Sequence, residues 1–155
     1  MKIRIIIWFF IVGIILACAV FFVRAGLQQY QRVFNQYESE INMLDKEIQK
    51  FLEGKLNAEG LSFPEFGEMT LEVITASIKE GSGHKEASRL LRQKHPELGR
   101  KVLAKLDSVI MTSYVQMILF SRRRTEVVDE YKKCVSAWPG KWAAKLLGYP
   151  KKTLE

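Results

Sequence analysis

The hydrophobic pattern begins with a run. Residues 5–23 read IIIWFFIVGIILACAVFFV, nineteen consecutive residues without a charge, with Lys2 and Arg4 before them and Arg24 behind. At ~1.5 Å per helical residue this stretch covers roughly 28 Å, about one hydrocarbon thickness. A helix is the form that satisfies its backbone polar groups in lipid. The run therefore predicts a transmembrane anchor over residues 1–24.

Beyond Arg24 the pattern becomes a seam. Leu27, Tyr30, Phe34, Tyr37, Ile41, Leu44, Ile48 and Phe51 alternate spacings of three and four, with mostly Gln, Asn, Glu, Asp and Lys between them. That is coiled-coil periodicity. It predicts that the anchor continues as one helix to about Leu56, roughly 50 Å beyond the bilayer, ended by Gly54, Asn57 and Gly60. Ser62-Phe63-Pro64-Glu65 has the form of a capping box with Pro in the first turn. It opens a second helix with an apolar face of Phe66, Met69, Val73, Ile74, Ser77 and Ile78, stopped by Gly81-Ser82-Gly83. A short helix over 85–94 follows, burying Ala87, Leu90 and Leu91. Pro96 starts a fourth, reaching about Ala137, with a second seam: Leu103, Leu106, Ile110, Ser113, Met117, Phe120, Arg124, Val127, Tyr131 and Cys134. No alternating run bounded by hairpin turns appears. The predicted fold is all-α: a transmembrane helix continuing into an antiparallel bundle of three to four helices. The predicted segments are 1–24 (anchor), 25–137 (bundle) and 138–155 (a basic, aromatic tail with a short turn of helix).

Charge sharpens this picture. The net charge is +7 over 155 residues, unevenly placed. Residues 25–80 carry 5 Lys/Arg against 10 Asp/Glu, and residues 81–155 carry 16 against 7. An acidic early half can pack against a basic later half, leaving cations for anionic lipid or an acidic partner; simple solvation of helix faces is the alternative. Cys18 lies in the apolar run and Cys134 near the far end, so no disulfide framework is expected. Ile15-Leu16-Ala17-Cys18 also has the form of a lipoprotein processing box, but five more apolar residues follow it, which favours an uncleaved anchor. The flanking charges, Lys2 and Arg4 against Arg24 and Arg32, nearly balance; the expectation leans to an extracytoplasmic domain.

Chemistry is sparse. His84 and His95 have no second ligand at metal spacing. Cys134 has no nearby His to serve as its base and falls on the seam. Gly81-Ser82-Gly83 precedes no Walker-type Lys, and no strand leads into it. Glu38 and Glu40 are two apart and do not face one another on a helix. No enzyme, no metal and no cofactor is expected. Arg124 stands on the seam, where it either pairs with Glu38, Glu40, Asp45 or Glu47 of the first helix or is exposed with its stem over the core. Arg122 and Arg123 flank it, but Glu126, Asp129 and Glu130 interrupt the basic face and no aromatics interleave, so nucleic acid is not an expected partner. The tail offers Trp138, Lys141, Trp142, Lys145, Tyr149, Lys151 and Lys152. These residues either lie in the membrane interface, rings at headgroup depth and Lys on phosphates, or fold back as a lid on the bundle.

The later half resembles the LemA family of bacterial membrane proteins. His95-Pro96-Glu97-Leu98 resembles the aromatic-Pro-acid-Leu opening of that family's last long helix. Tyr131 and Trp138-Pro139-Gly140 fall where the family has Tyr-Asn and Phe-Pro-Gly, Arg122-Arg123-Arg124 where it has an Ala-Arg run, and Ala143-Ala144-Lys145-Leu146-Leu147-Gly148-Tyr149 resembles its Ala-Gly-Leu-Phe-Gly-Phe ending. The match covers residues 96–149; the family's Tyr-Asn after the membrane is absent and its Ile-Pro-Asn-Leu-Val segment is at best echoed by Leu61, Phe63, Pro64 and Phe66. The resemblance implies a divergent or shortened single-pass protein of the bacterial cytoplasmic membrane with a helical-bundle domain, and no reaction. The expected function is a non-enzymatic, membrane-anchored scaffold that meets membrane lipid and another membrane-associated protein, with a homo-oligomer as a further partner. The alternative is peripheral lipid binding or membrane remodelling through the basic C-terminal segment.

Overall fold

In a computed structural model the backbone is described for residues 2–149, with side chains from Trp8 onward except Phe9. Every regular element among them is a helix: α1 (Lys2–Ala58), α2 (Phe63–Lys79), α3 (His84–Lys94), α4 (Arg100–Ser136) and α5 (Gly140–Leu146). The all-α architecture read from periodicity is the one observed. The tail's expected turn of helix is α5.

The chain divides into two compact units. One holds the residues up to Ser39 together with those from Val128 on; the other is Glu40–Val127. Each has its own core.

In the second unit the core is Ile48, Leu52 and Leu56 of α1, Phe66, Val73 and Ile74 of α2, Ala87 and Leu91 of α3, and Leu106, Val109, Ile110 and Met117 of α4. Here α1 and α4 run antiparallel: Asp45 meets Arg124, Phe51 stacks on Phe120 with ring centroids 5.8 Å apart, and the Ser108 hydroxyl donates to Glu59. At its far end α1 closes with the hydrogen bonds of a Schellman motif, Leu61 N–H to the Leu56 carbonyl at 2.9 Å and Gly60 N–H to that of Asn57 at 3.0 Å. Gly60 sits at φ 69°, the left-handed conformation a residue with a Cβ resists. Leu56 and Leu61, the pair that accompanies such a cap, are both buried.

One cap and one boundary differ from the sequence expectation. The capping box supplies only its geometry: Ser62 is the N-cap of α2 with Pro in the first turn, but its side chain makes no capping hydrogen bond. Helix α4 begins at Arg100 and not at Pro96. Residues 95–98 form a turn, with Leu98 N–H donating to the His95 carbonyl, and Gly99 accepts the first helical bond from Leu103. Gly is a poor residue inside a helix, so the chain turns before it and starts the helix after it.

Ser77 is buried on the α2 face and ties the stop turn to α4. Its hydroxyl donates to the Ser82 carbonyl at 2.8 Å, Tyr114 donates to the same carbonyl at 2.5 Å, and the two hydroxyl oxygens are 3.1 Å apart. This network satisfies polar atoms that would otherwise be buried alone.

Arg124 takes the paired alternative. Its Nε donates to Asp45 Oδ1 at 2.7 Å and its Nη2 reaches Oδ2 at 3.5 Å, with the Arg124 side chain one-third exposed. Solvent screens so open a pair. Arg124→Ala is expected to cost about 0.5–1 kcal/mol, read as a small fall in the melting temperature of the detergent-solubilised chain. Arg124→Lys recovers only part of it, because the fork is lost.

Candidate functional site

In the first unit, Phe34 of α1 is the centre of an aromatic cluster. Its ring centroid lies 6.0 Å from Tyr30, 6.2 Å from Tyr131 and 5.0 Å from Tyr149; Tyr37 stacks on Tyr131 at 6.0 Å. Tyr131, Val135, Ala143 and Ala144 complete the buried set, with Leu27, Cys134 and Leu147 packed against it. Burial, and then the neighbouring Glu38 carboxylate, push the Tyr131 phenol above its ordinary range. Burial does the same to the Cys134 thiol.

That thiol shift has a measurable sign. The thiolate is the reactive species, so a raised pKa means less of it at a given pH. With Cys18→Ser leaving Cys134 as the sole cysteine, alkylation of the folded chain is expected to be slower than that of the denatured chain at mildly alkaline pH. The gap should narrow as pH rises through the folded value. A folded rate above the denatured one would contradict this environment.

Helix α5 is held on that cluster by small residues. Ala143 and Ala144 are 2% and 4% exposed. Gly140 is buried, and a Cβ there would stand 2.0 Å from the backbone carbonyl oxygen of Cys134. No side-chain rotation relieves a clash with backbone, so α5 approaches the end of α4 this closely only through glycine. Gly140→Ala is expected to cost about 1–3 kcal/mol by overpacking. Hydrogen exchange should quicken first at the Leu147 and Tyr149 amides, whose bonds to the Ala143 and Ala144 carbonyls are 2.9 and 3.0 Å. At the other end Gly148, at φ 69°, turns the chain so that the Tyr149 ring covers Phe34 and its hydroxyl donates to the Asn35 side chain.

The opposite face of α5 is open. Trp138 is 85% exposed, Trp142 51% and Leu146 54%, with Lys141 and Lys145 exposed beside them. With Gly140, Ala143, Ala144 and Leu147 turned inward, the i,i+4 pairs divide the outer surface: Lys141 and Lys145 form one edge, Trp142 and Leu146 the neighbouring edge. Of its two sequence readings, the fold-back onto the helices is the one this packing resembles. The tail folds onto the helices by its small residues and keeps its Trp rings free. Of the tail residues singled out by sequence, Trp138, Lys141, Trp142 and Lys145 come together here. Tyr149 serves as packing, and Lys151 and Lys152 lie outside the described residues. Arg122 and Arg123 are exposed on the second unit, Arg123 within 3.9 Å of Glu40, while Arg124 pairs with Asp45.

Sequence reasoning missed a second feature. Met111, Val115 and Leu119 of α4, spaced i, i+4, i+8, are 67%, 69% and 53% exposed. The signal was present: these residues form a stripe beside the seam and outside its spacing. Among the described residues, no group of three or more His, Cys, Asp and Glu converges as a metal site.

Among the described residues, two helices are long and apolar enough to cross a membrane, by length and composition. In α1 none of the apolar window is buried within the chain. The apolar window of α4 is one-third buried, and the second unit's core takes Leu106, Val109, Ile110 and Met117 from that helix. No family model, curated protein or solved structure matches the chain. The class the fold defines is an all-α helical protein with a candidate membrane span at its N-terminal end.

Proposed function

We propose that this chain is a non-enzymatic, single-pass protein of a bacterial cytoplasmic membrane, anchored by residues 5–23, whose helical units serve as an interaction scaffold on the extracytoplasmic side. The observation that carries the reading is the exposure of the apolar run. Every described side chain from Phe10 to Val23 is exposed, Phe21 and Phe22 by 70% and 75%, although the chain buries comparable residues elsewhere. Apolar surface on that scale is covered by lipid or by partners. A single pass is supported by α4, which gives Leu106, Val109, Ile110 and Met117 to the second unit's core and has charged flanks.

A scaffold is supported by what the exposed surfaces offer. The stripe Met111, Val115 and Leu119 is apolar and unpaired with the core, the kind of surface a partner helix or a second copy covers. The basic residues Arg122 and Arg123 beside it suit an acidic partner. The resemblance of residues 96–149 to LemA proteins supports the bacterial placing.

The test is cross-linking in native membranes, with single cysteines at Gln29, Gln36 and Val115 in a Cys18→Ser, Cys134→Ser background. Adducts with a second polypeptide or a second copy are expected at one or more positions. Strictly monomeric bands at all three would remove the scaffold reading.

A second reading, lipid binding through residues 138–155, is favoured by one observation: Trp138 and Trp142 are exposed on a unit with its own aromatic core.

A further inference from the structure

The geometry points to a second membrane contact built by the exposed face of α5 and the residue before its cap: Trp142 and Leu146, with Lys141 and Lys145, and Trp138 ahead of the helix sit in the headgroup layer of the bilayer that α1 crosses and bind its anionic phospholipids. This rests on the anchoring of α1 proposed above.

Three observations carry it. The first is depth. Within the first unit Ala143 and Ala144 of α5 share a buried cluster with Phe34, against which Leu27 and Tyr30 pack, and a Cβ on Gly140 would lie 3.7 Å from the Tyr30 ring. Tyr30 is seven residues past Val23, the last residue of the apolar run, so at ~1.5 Å per residue α5 is held about 10 Å along the helix from the hydrocarbon edge. That is where interfacial segments rest and where Trp is enriched.

The second is the division of the α5 surface. Its inward face is Gly140, Ala143, Ala144 and Leu147, and its outward face is half cationic and half aromatic-aliphatic. Water does not reward an 85% exposed indole, whereas the interface takes the ring's apolar body and its polar N–H together. Docking through Gly140 fixes the direction in which this face points, so the indoles are presented without further ordering.

The third is charge. From Tyr131 to Leu154 the chain holds six lysines and no Asp or Glu. Arg24 and Arg32 stand exposed on the neighbouring part of α1. A lysine-rich segment held close to lipid is attracted to anionic headgroups. The same charge gives no favourable contact to a basic second copy of this segment, which makes lipid the occupant.

The protein carries its own reporters, because Trp8 lies in the apolar run and Trp138 and Trp142 are the remaining tryptophans. The full chain is reconstituted in phosphatidylcholine vesicles with and without phosphatidylglycerol, using lipids brominated either near the headgroup end of the acyl chain or deep in it. The Trp8→Phe variant reads Trp138 and Trp142. The Trp138→Phe/Trp142→Phe variant reads Trp8. The expected result is a blue-shifted Trp138/Trp142 emission that shallow bromine quenches more strongly than deep bromine, with quenching that grows with phosphatidylglycerol and falls in Lys141→Glu/Lys145→Glu. Trp8 quenched by deep bromine while Trp138 and Trp142 emit as in water would overturn this contact and leave the anchor standing. A blue shift without bromine quenching would assign the face to a second copy and overturn it as well. Trp8 unquenched by either lipid would remove the anchor, and this contact with it.

Discussion

Phe34→Ala is expected to destabilise the first unit by about 3–5 kcal/mol, the range for emptying an aromatic site that cannot collapse. Phe34 is fully buried and its ring meets Tyr30, Tyr131 and Tyr149, residues contributed by α1, α4 and the segment after α5. Truncation forfeits three ring–ring contacts as well as the transfer term. The tyrosines are poor at closing the gap, because each carries a hydroxyl that keeps one end polar. The effect should be local. Hydrogen exchange should rise at amides of α5 and of α4 beyond Val128, while the core of Glu40–Val127, which does not include Phe34, keeps most of its protection. Uniform loss of protection in both cores would show that the two units fold as one. Phe34→Leu, which keeps much of the volume, should cost markedly less.

Ile11→Arg combined with Ile15→Arg is expected to abolish stable insertion of α1. Both residues lie near the middle of the apolar run and are exposed on one face, 44% and 61%. An Arg at the centre of a membrane helix costs about 2.5–3.5 kcal/mol, so two cost about 5–7 kcal/mol, unless long side chains reach the interface. These positions are a turn or more from either end, which limits that escape. The doubly substituted chain should leave the membrane pellet on an alkaline wash, or aggregate. Conservative Ile11→Leu with Ile15→Leu should change nothing measurable. If the Arg variant stays embedded as firmly as the original, residues 5–23 do not meet lipid.

Much of this molecule was legible in the sequence because helices advertise themselves through period. Phe34, Ile41, Leu44 and Ile48 of the α1 seam and Leu106, Ile110, Met117, Val127 and Tyr131 of the α4 seam are buried, while Leu52, Leu56, Val109 and Tyr114, off those spacings, are buried as well. What periodicity cannot supply is where two seams stop meeting each other. The aromatic half of α1 packs in one unit and the aliphatic half in another, and only tertiary contact separates them. Nor does period separate packed from paired. Arg124 occupies a core register yet reaches Asp45 at the rim, because its stem is long enough to cover the seam while its head stays wet.

The candidate site was half visible. Trp138, Lys141, Trp142 and Lys145 stood out by type, but their common exposure depends on Gly140 and on Ala143 and Ala144, small residues that carry no chemistry of their own. Their role appears only when the Cys134 carbonyl is seen to occupy the space a Cβ would need. The exposed stripe Met111, Val115 and Leu119 went unread because apolar residues beside a seam look like core until neighbours are placed.

The account stands on the apolar N-terminal helix remaining attached and embedded in lipid. The direct measurement is to wash native membranes carrying the full-length chain with high salt and then alkaline carbonate, without detergent, and to take the intact mass of what stays and what leaves. The account predicts that the chain stays with the membranes at a mass that still includes residues 5–23. Recovery of the complete chain in the soluble wash, or a mature mass lacking residues 1–17, would contradict it.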